Sequence, residues 1–172
     1  MFVWGMAEAI SFPIMAEMSQ VWLGLPHPER MWRRAALVVA GSVTGVAITH
    51  LLTRAGHRPP APWTTPAMRT ATSGYLSQNP SGYWKQAVTG IPVKLFAAES
   101  GRRDLPLPAV IIHAAGERAA RMAASTAIIK ALGKPLGPIT RQHYGPYLAA
   151  SGVVFTIALR GVIRHWQRPG RR

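Results

Sequence analysis

The sequence predicts an all-α, polytopic membrane protein with about three transmembrane helices and two re-entrant, broken-helix segments. Three observations carry that prediction. Long uncharged runs recur along the 172 residues. Charged residues make up only 15% of the chain, where a soluble domain carries roughly 25%. Four of the six acids, Glu8, Glu17, Glu99 and Glu117, fall inside or at the ends of apolar stretches instead of on polar loops. The formal charge is +14, which fits either a nucleic-acid binder or a membrane protein with basic residues beside anionic lipid. The cations cluster around the uncharged runs and are not scattered over a face, so the membrane alternative is preferred and nucleic acid is not expected as a partner. Cysteine is absent, which excludes disulfides, thiolate zinc sites and thiol catalysis.

The expected organisation is one membrane domain over residues 1–165 and a basic tail over 166–172. Residues 1–25 are apolar apart from Glu8 and Glu17, with Pro13 between them. A proline removes a backbone donor and clashes with the preceding turn, so a helix stops there. A hydrophobic segment broken at its middle, with acids close by, predicts a re-entrant hairpin, because irregular backbone at membrane depth survives only where it is buried or lines a cavity. The start lacks the basic residues of a signal peptide.

Residues 35–53 hold no charge and span about 28 Å as a helix, close to the hydrocarbon thickness. Arg33, Arg34 and Arg54 flank this first span. Gly41 and Gly45 form a G-x-x-x-G, which permits close helix approach within the protein and, second, dimerisation. Residues 54–85 hold Pro59, Pro60, Pro62, Pro66 and Pro80 and predict an interfacial loop. The second re-entrant segment is 86–100, too short to cross as one helix and broken by Gly90 and Pro92. The second span, 105–132, carries Glu117, Arg118 and Arg121; Glu117 and Arg121 are four apart and share a helix face. The third span, 143–164, ends in Arg160, Arg164, His165 and Trp166, an interfacial anchor pattern.

A carboxylate in hydrocarbon must protonate or find a cation. Lys94 and Arg118 are the expected partners of the buried acids, and a cavity lined by Glu8, Glu17, Lys94 and Arg118 would join a proton site to an anion site. Glu99, Glu117, Arg54 and Arg121 are secondary candidates. The phosphate-cradling G-x-x-x-x-G-K-[ST] and the metal-binding H-E-x-x-H are both missing, and the six histidines are dispersed. No enzyme activity, catalytic residue, cofactor or metal is therefore expected.

Four short patches, taken in order, resemble the DedA-type (SNARE-associated, VTT-domain) membrane proteins, most closely their small YqaA-like branch. They are Glu8 to Glu17 around Pro13, Gly41 to Gly45 running on to Arg54, Thr89-Gly90-Ile91-Pro92-Val93-Lys94, and Gly116-Glu117-Arg118-Ala119-Ala120-Arg121. The resemblance implies two re-entrant loops facing each other in the bilayer. It also implies a flippase or scramblase role for lipids or polyprenyl-phosphate carriers, with protons as a driver. It assigns function to Glu8, Glu17, Lys94 and Arg118, with Pro13, Gly90 and Pro92 as breakers. Four positions depart from the family pattern: Met15, His50, Thr53 and Glu117. The expected location is the bacterial cytoplasmic membrane, multi-pass, with membrane lipids as partners and a homo-oligomer as an option. The alternative is a structural or assembly membrane protein without transport.

Overall fold

The computed structural model describes residues 1–77 and 79–167. The expected basic tail beyond Gln167 lies outside them. The described chain is all-helical. Helices α1 (Phe2–Ile10) and α2 (Ala16–Gly24) are separated by an irregular stretch around Pro13. A 3₁₀ turn, Pro28–Arg30, leads into α3 (Met31–Arg54). Then follow α4 (Pro66–Tyr75), a 3₁₀ helix Pro80–Lys85, and the short α5 (Gln86–Thr89). Helix α6 is Val93–Arg102, α7 is Leu107–Gln142 and α8 is Tyr144–Gln167. Among the described residues two stretches, where three spans were expected, are long and apolar enough to cross a membrane: Pro28–Arg54, which contains α3, and Tyr144–Gln167.

Both helix breaks have local causes. Gly90 ends α5 at φ 68°, a left-handed conformation that glycine adopts without steric cost. Pro92 follows at φ −61° and ψ 140° and serves as the N-cap of α6. Met15 takes the extended conformation that starts α2, two residues after Pro13.

Helix α3 is the central post. Helix α1 lies against it with almost no spacer, because Gly41 faces the Phe2 backbone and Gly45 faces Met6, while Gly5 of α1 faces Val38. The G-x-x-x-G is thus consumed inside the chain. Thr49 Oγ1 donates to the Ala9 carbonyl at 2.9 Å, satisfying one of the free carbonyls at the end of α1. Both groups lie in the interior, so Thr49→Val should strand a buried carbonyl. The expected loss is about 1–3 kcal/mol, read from the unfolding midpoint in detergent. Helix α6 packs on the other side of α3. Gly101 meets the His50 carbonyl there, and Phe96 is buried against Tyr83 (5.5 Å between ring centres) and stacked on Tyr75 (6.4 Å).

Two segments differ from the sequence expectation. Residues 54–85 are not loop throughout: α4 and the 3₁₀ helix place Met68, Thr72, Leu76 and Tyr83 in the interior. Both pieces begin with a cap and a proline, Thr65-Pro66 and Asn79-Pro80, the arrangement that starts helices. The segment expected to end at residue 132 continues as helix to Gln142 despite Pro135 and Pro138. Gly133 and Gly137 lie against the turn Leu25–Pro28, so packing holds this part of α7 helical where local preference would stop it.

Helix α8 is hydrogen-bonded to the rest near both ends, with Phe155 buried between them. Tyr147 donates to the Val21 carbonyl (2.5 Å), Tyr144 donates to Trp22 O (3.3 Å), and Trp22 Nε1 donates to Ser151 Oγ (2.9 Å). At the far end Trp166 Nε1 donates to Thr89 O (3.1 Å), and Val162 sits over Gly90. Between these anchors Val153, Val154 and Ile157 are exposed. The helix therefore bridges the end of α2 and the second break.

Candidate functional site

Five of the singled-out side chains converge on one buried ion network. Helix α1 brings Glu8 and the first turn of α2 brings Glu17. Helix α7 brings Glu117, Arg118 and Arg121. Arg118 is wholly buried; its Nη2 is 2.7 Å from Glu8 Oε1 and its Nη1 is 4.0 Å from Glu17 Oε1. Arg121 pairs with Glu17 and lies 3.4 Å from Glu117 Oε1 one turn back. A successive helical residue is rotated by about 100°, so Arg118 faces α1 while Glu117 and Arg121 share the neighbouring face. Gln86 closes the other side: with its amide oriented to suit both neighbours, the nitrogen donates to Glu117 Oε2 at 2.8 Å and the oxygen accepts from the Val93 N–H at 3.2 Å.

Three carboxylates and two guanidiniums give this cluster a formal charge of −1 when all are ionised. Glu8 Oε2, Glu17 Oε2, and Arg118 Nε and Nη1 are buried without a hydrogen-bond partner. Such a cluster holds spare acceptor and donor capacity on buried atoms, where each unmet group is costly.

Lys94 does not join this network. Its ammonium donates to the Ser11 carbonyl at 3.0 Å and to Phe12 O at 3.5 Å, the groups freed where the chain leaves α1. The expectation that Lys94 pairs with a buried acid is thereby corrected: carbonyls are nearer, and Glu8 is taken by Arg118. The contact has a structural consequence, because Lys94 stands two residues after Pro92 while Ser11 and Phe12 directly precede Pro13. The two helix breaks thus meet.

The remaining secondary residues lie elsewhere. Glu99 is buried and pairs with Arg102 and with Arg103 Nε (2.7 Å), and Arg103 also reaches Ser73 Oγ at 2.7 Å. Arg54 pairs with Asp104 at 2.6 Å near the exposed end of α3. A cavity of about 320 Å³ opens between α1, α3, α4 and α6, lined among others by Lys94, Glu99, Arg58, Arg69 and Arg102. Sequence reasoning missed Arg58, Arg69, Arg102 and Gln86. The first two were hidden in the proline-rich segment, and Gln86 carries no charge to draw notice. His50, one of the departures from the family pattern, is buried and its Nδ1 is 3.0 Å from Ser100 Oγ, which is 3.3 Å from Tyr83 Oη. This polar thread locks α3, α6 and the 3₁₀ helix together.

Among the described residues no three His, Asp or Glu side chains form a metal-binding group. No family model, curated protein or solved structure matches the chain.

Proposed function

We propose that this chain is a multi-pass protein of the bacterial cytoplasmic membrane that moves or scrambles a lipid or polyprenyl-phosphate carrier, with Glu8 and Glu17 taking and releasing the coupled proton. The observation that carries the reading is the meeting of two helix breaks beside a buried network of three carboxylates and two guanidiniums. Broken hydrophobic segments that meet are the sequence and structural mark of transport sites, since their freed backbone groups must be buried in protein or face a cavity. Ionisable groups at such depth cost several kcal/mol unless paired, and are kept chiefly where function uses them. In this reading α1–α2 and α5–α6 are the re-entrant pair, and α3, α7 and α8 are the surrounding spans. The DedA-type resemblance supplies the substrate class.

The test is Glu17→Gln in reconstituted vesicles, with folding verified and a lipid bearing a fluorescent headgroup followed as it leaves the outer leaflet. Glu17 is one-fifth exposed, so the amide is tolerated sterically while the carboxylate is lost. A severalfold slower rate, with its dependence on a proton gradient abolished, is the expected result. A rate equal to that of the parent protein removes Glu17 from the mechanism.

One observation favours the alternative, a structural or assembly protein without transport: every acid in the network already touches a cation. On that reading the pairs only knit α1, α2 and α7 together, and variants that still fold keep normal lipid behaviour.

A further inference from the structure

The cavity between α1, α3, α4 and α6 is separate from the carboxylate network, and its chemistry is of opposite sign. Its lining includes Lys94, Arg58, Arg69 and Arg102, with Glu99 the single acid. Among the described residues, four cations against one carboxylate leave a formal +3, with His57 also on the wall. Glu99 is already committed to Arg102 and Arg103, so it does not neutralise Arg58, Arg69 or Lys94.

Lys94 is the informative residue. It is 2% exposed, and a buried ammonium without a carboxylate is unfavourable. Two carbonyls accept from it, which leaves one of its three N–H donors free. The threonine hydroxyls of the lining do not compete for the donor role. The hydroxyl hydrogens of Thr49, Thr53 and Thr72 are spent on the backbone carbonyls of Ala9, Thr49 and Met68. Apart from His57, the side-chain donors left at the wall are cationic: Arg58 and Arg69 stand exposed on the segment around the mouth, with one Nη of Arg69 donating to Thr64 Oγ1 at 3.2 Å and its other N–H groups uncommitted. Forked guanidiniums with an ammonium behind them match a tetrahedral, multiply charged oxyanion. A volume of about 320 Å³ falls at the lower end of small-ligand pockets.

We propose that this cavity binds a phosphate group, with Lys94 at its inner wall and Arg58 and Arg69 clamping it from the mouth. The site rests on the cavity alone and stands whether or not the chain moves lipid. Two sources share the chemistry: free phosphate, and the phosphate headgroup of a lipid.

The experiment is equilibrium binding to the purified full chain in a maltoside detergent at physiological chloride, by calorimetry. Inorganic phosphate is titrated in one arm and dodecyl phosphate, below its micellar concentration, in the other. At least one of the two should bind saturably with a one-to-one ratio. Equal affinities assign the site to the free ion, and an affinity at least tenfold higher for dodecyl phosphate assigns it to a lipid headgroup. Arg58→Gln/Arg69→Gln should weaken binding by roughly a hundredfold, about tenfold per lost charged contact. Lys94→Met should weaken it further, and the exposed pair Arg58 and Arg69 keeps the test independent of any folding defect that Lys94→Met causes. The control is Arg30→Gln/Arg33→Gln, which lies outside the cavity lining. Absence of saturable binding in both arms overturns the proposal. So does a control variant that weakens binding as much as Arg58→Gln/Arg69→Gln, because the attraction would then belong to the net charge of the surface.

Discussion

Arg118→Met should cost about 3–5 kcal/mol of stability, the range for removing one partner of a buried ion pair. Arg118 has no exposed surface and, among the described residues, is the only guanidinium in contact with Glu8, which is itself 5% exposed. Truncating the cation leaves Glu8 buried and uncompensated and withdraws one of two cations near Glu17. Methionine fills much of the arginine stem's volume, so a cavity contributes little to the loss. The measurement is the unfolding midpoint in detergent, extended by a double-mutant cycle. Glu8→Gln should also destabilise, since it strands Arg118. The double variant Glu8→Gln/Arg118→Met removes both charges and should be more stable than Arg118→Met alone, with a coupling of about 1–3 kcal/mol. Additive losses would mean that the two side chains do not interact in the folded protein. Arg118→Lys should fall between, because a single ammonium cannot reach Glu8 and Glu17 together as a planar fork does. Lipid movement in whichever variants fold separates the two functional readings. Normal rates in folded Arg118→Met point to a scaffold, and lost rates point to a working charge.

What could be read from the sequence divides by range. The break around Pro13 and the break at Gly90 and Pro92 were legible because their causes are local: a missing donor, a fixed φ, a residue tolerant of positive φ. The extent of α3 was nearly legible, expected over 35–53 and observed over Met31–Arg54. Hydropathy ends at the first arginine, whereas the helix runs on through Arg33, which is exposed, and Arg34, whose guanidinium donates to the Leu23 and His27 carbonyls. Helix α4 was obscured by the prolines around it, although Thr65-Pro66 is itself a start signal. The pairing of charges was not legible. Arg118 and Glu8 stand 110 positions apart, and no local rule says whether Lys94 or Arg118 reaches Glu8. That choice is made by how α1 docks on α3, which sends Glu8 toward α7 and leaves the Ser11 and Phe12 carbonyls for Lys94. The anion cavity was illegible for the same reason, since Arg58 and Arg69 come from one segment and Lys94 and Arg102 from another.

That docking can be attacked directly. Gly41→Ala and Gly45→Ala should each destabilise by about 1–3 kcal/mol through overpacking, although alanine is the better helix former by roughly 1 kcal/mol. A Cβ at Gly41 would lie 2.7 Å from the Phe2 carbonyl carbon. One at Gly45 would lie 2.8 Å from Ala9 Cβ and 3.1 Å from Met6 Cα. At Gly41 the obstructing atoms are backbone, which has no rotamer to give, so α1 must move outward as a body. Gly152→Ala is the control: it sits on α8 with nothing within 4 Å of the added carbon, and there the helix preference should prevail and leave stability equal or slightly raised. Glu8 rides on α1, so the displacement also pulls its carboxylate from Arg118. The double variant Gly41→Ala/Gly45→Ala should therefore cost markedly less in an Arg118→Met background than in the parent, because the ion pair it disrupts is already gone. Equal costs in the two backgrounds would show that the glycine contact and the ion pair act independently, and that α1 docking does not set the position of Glu8.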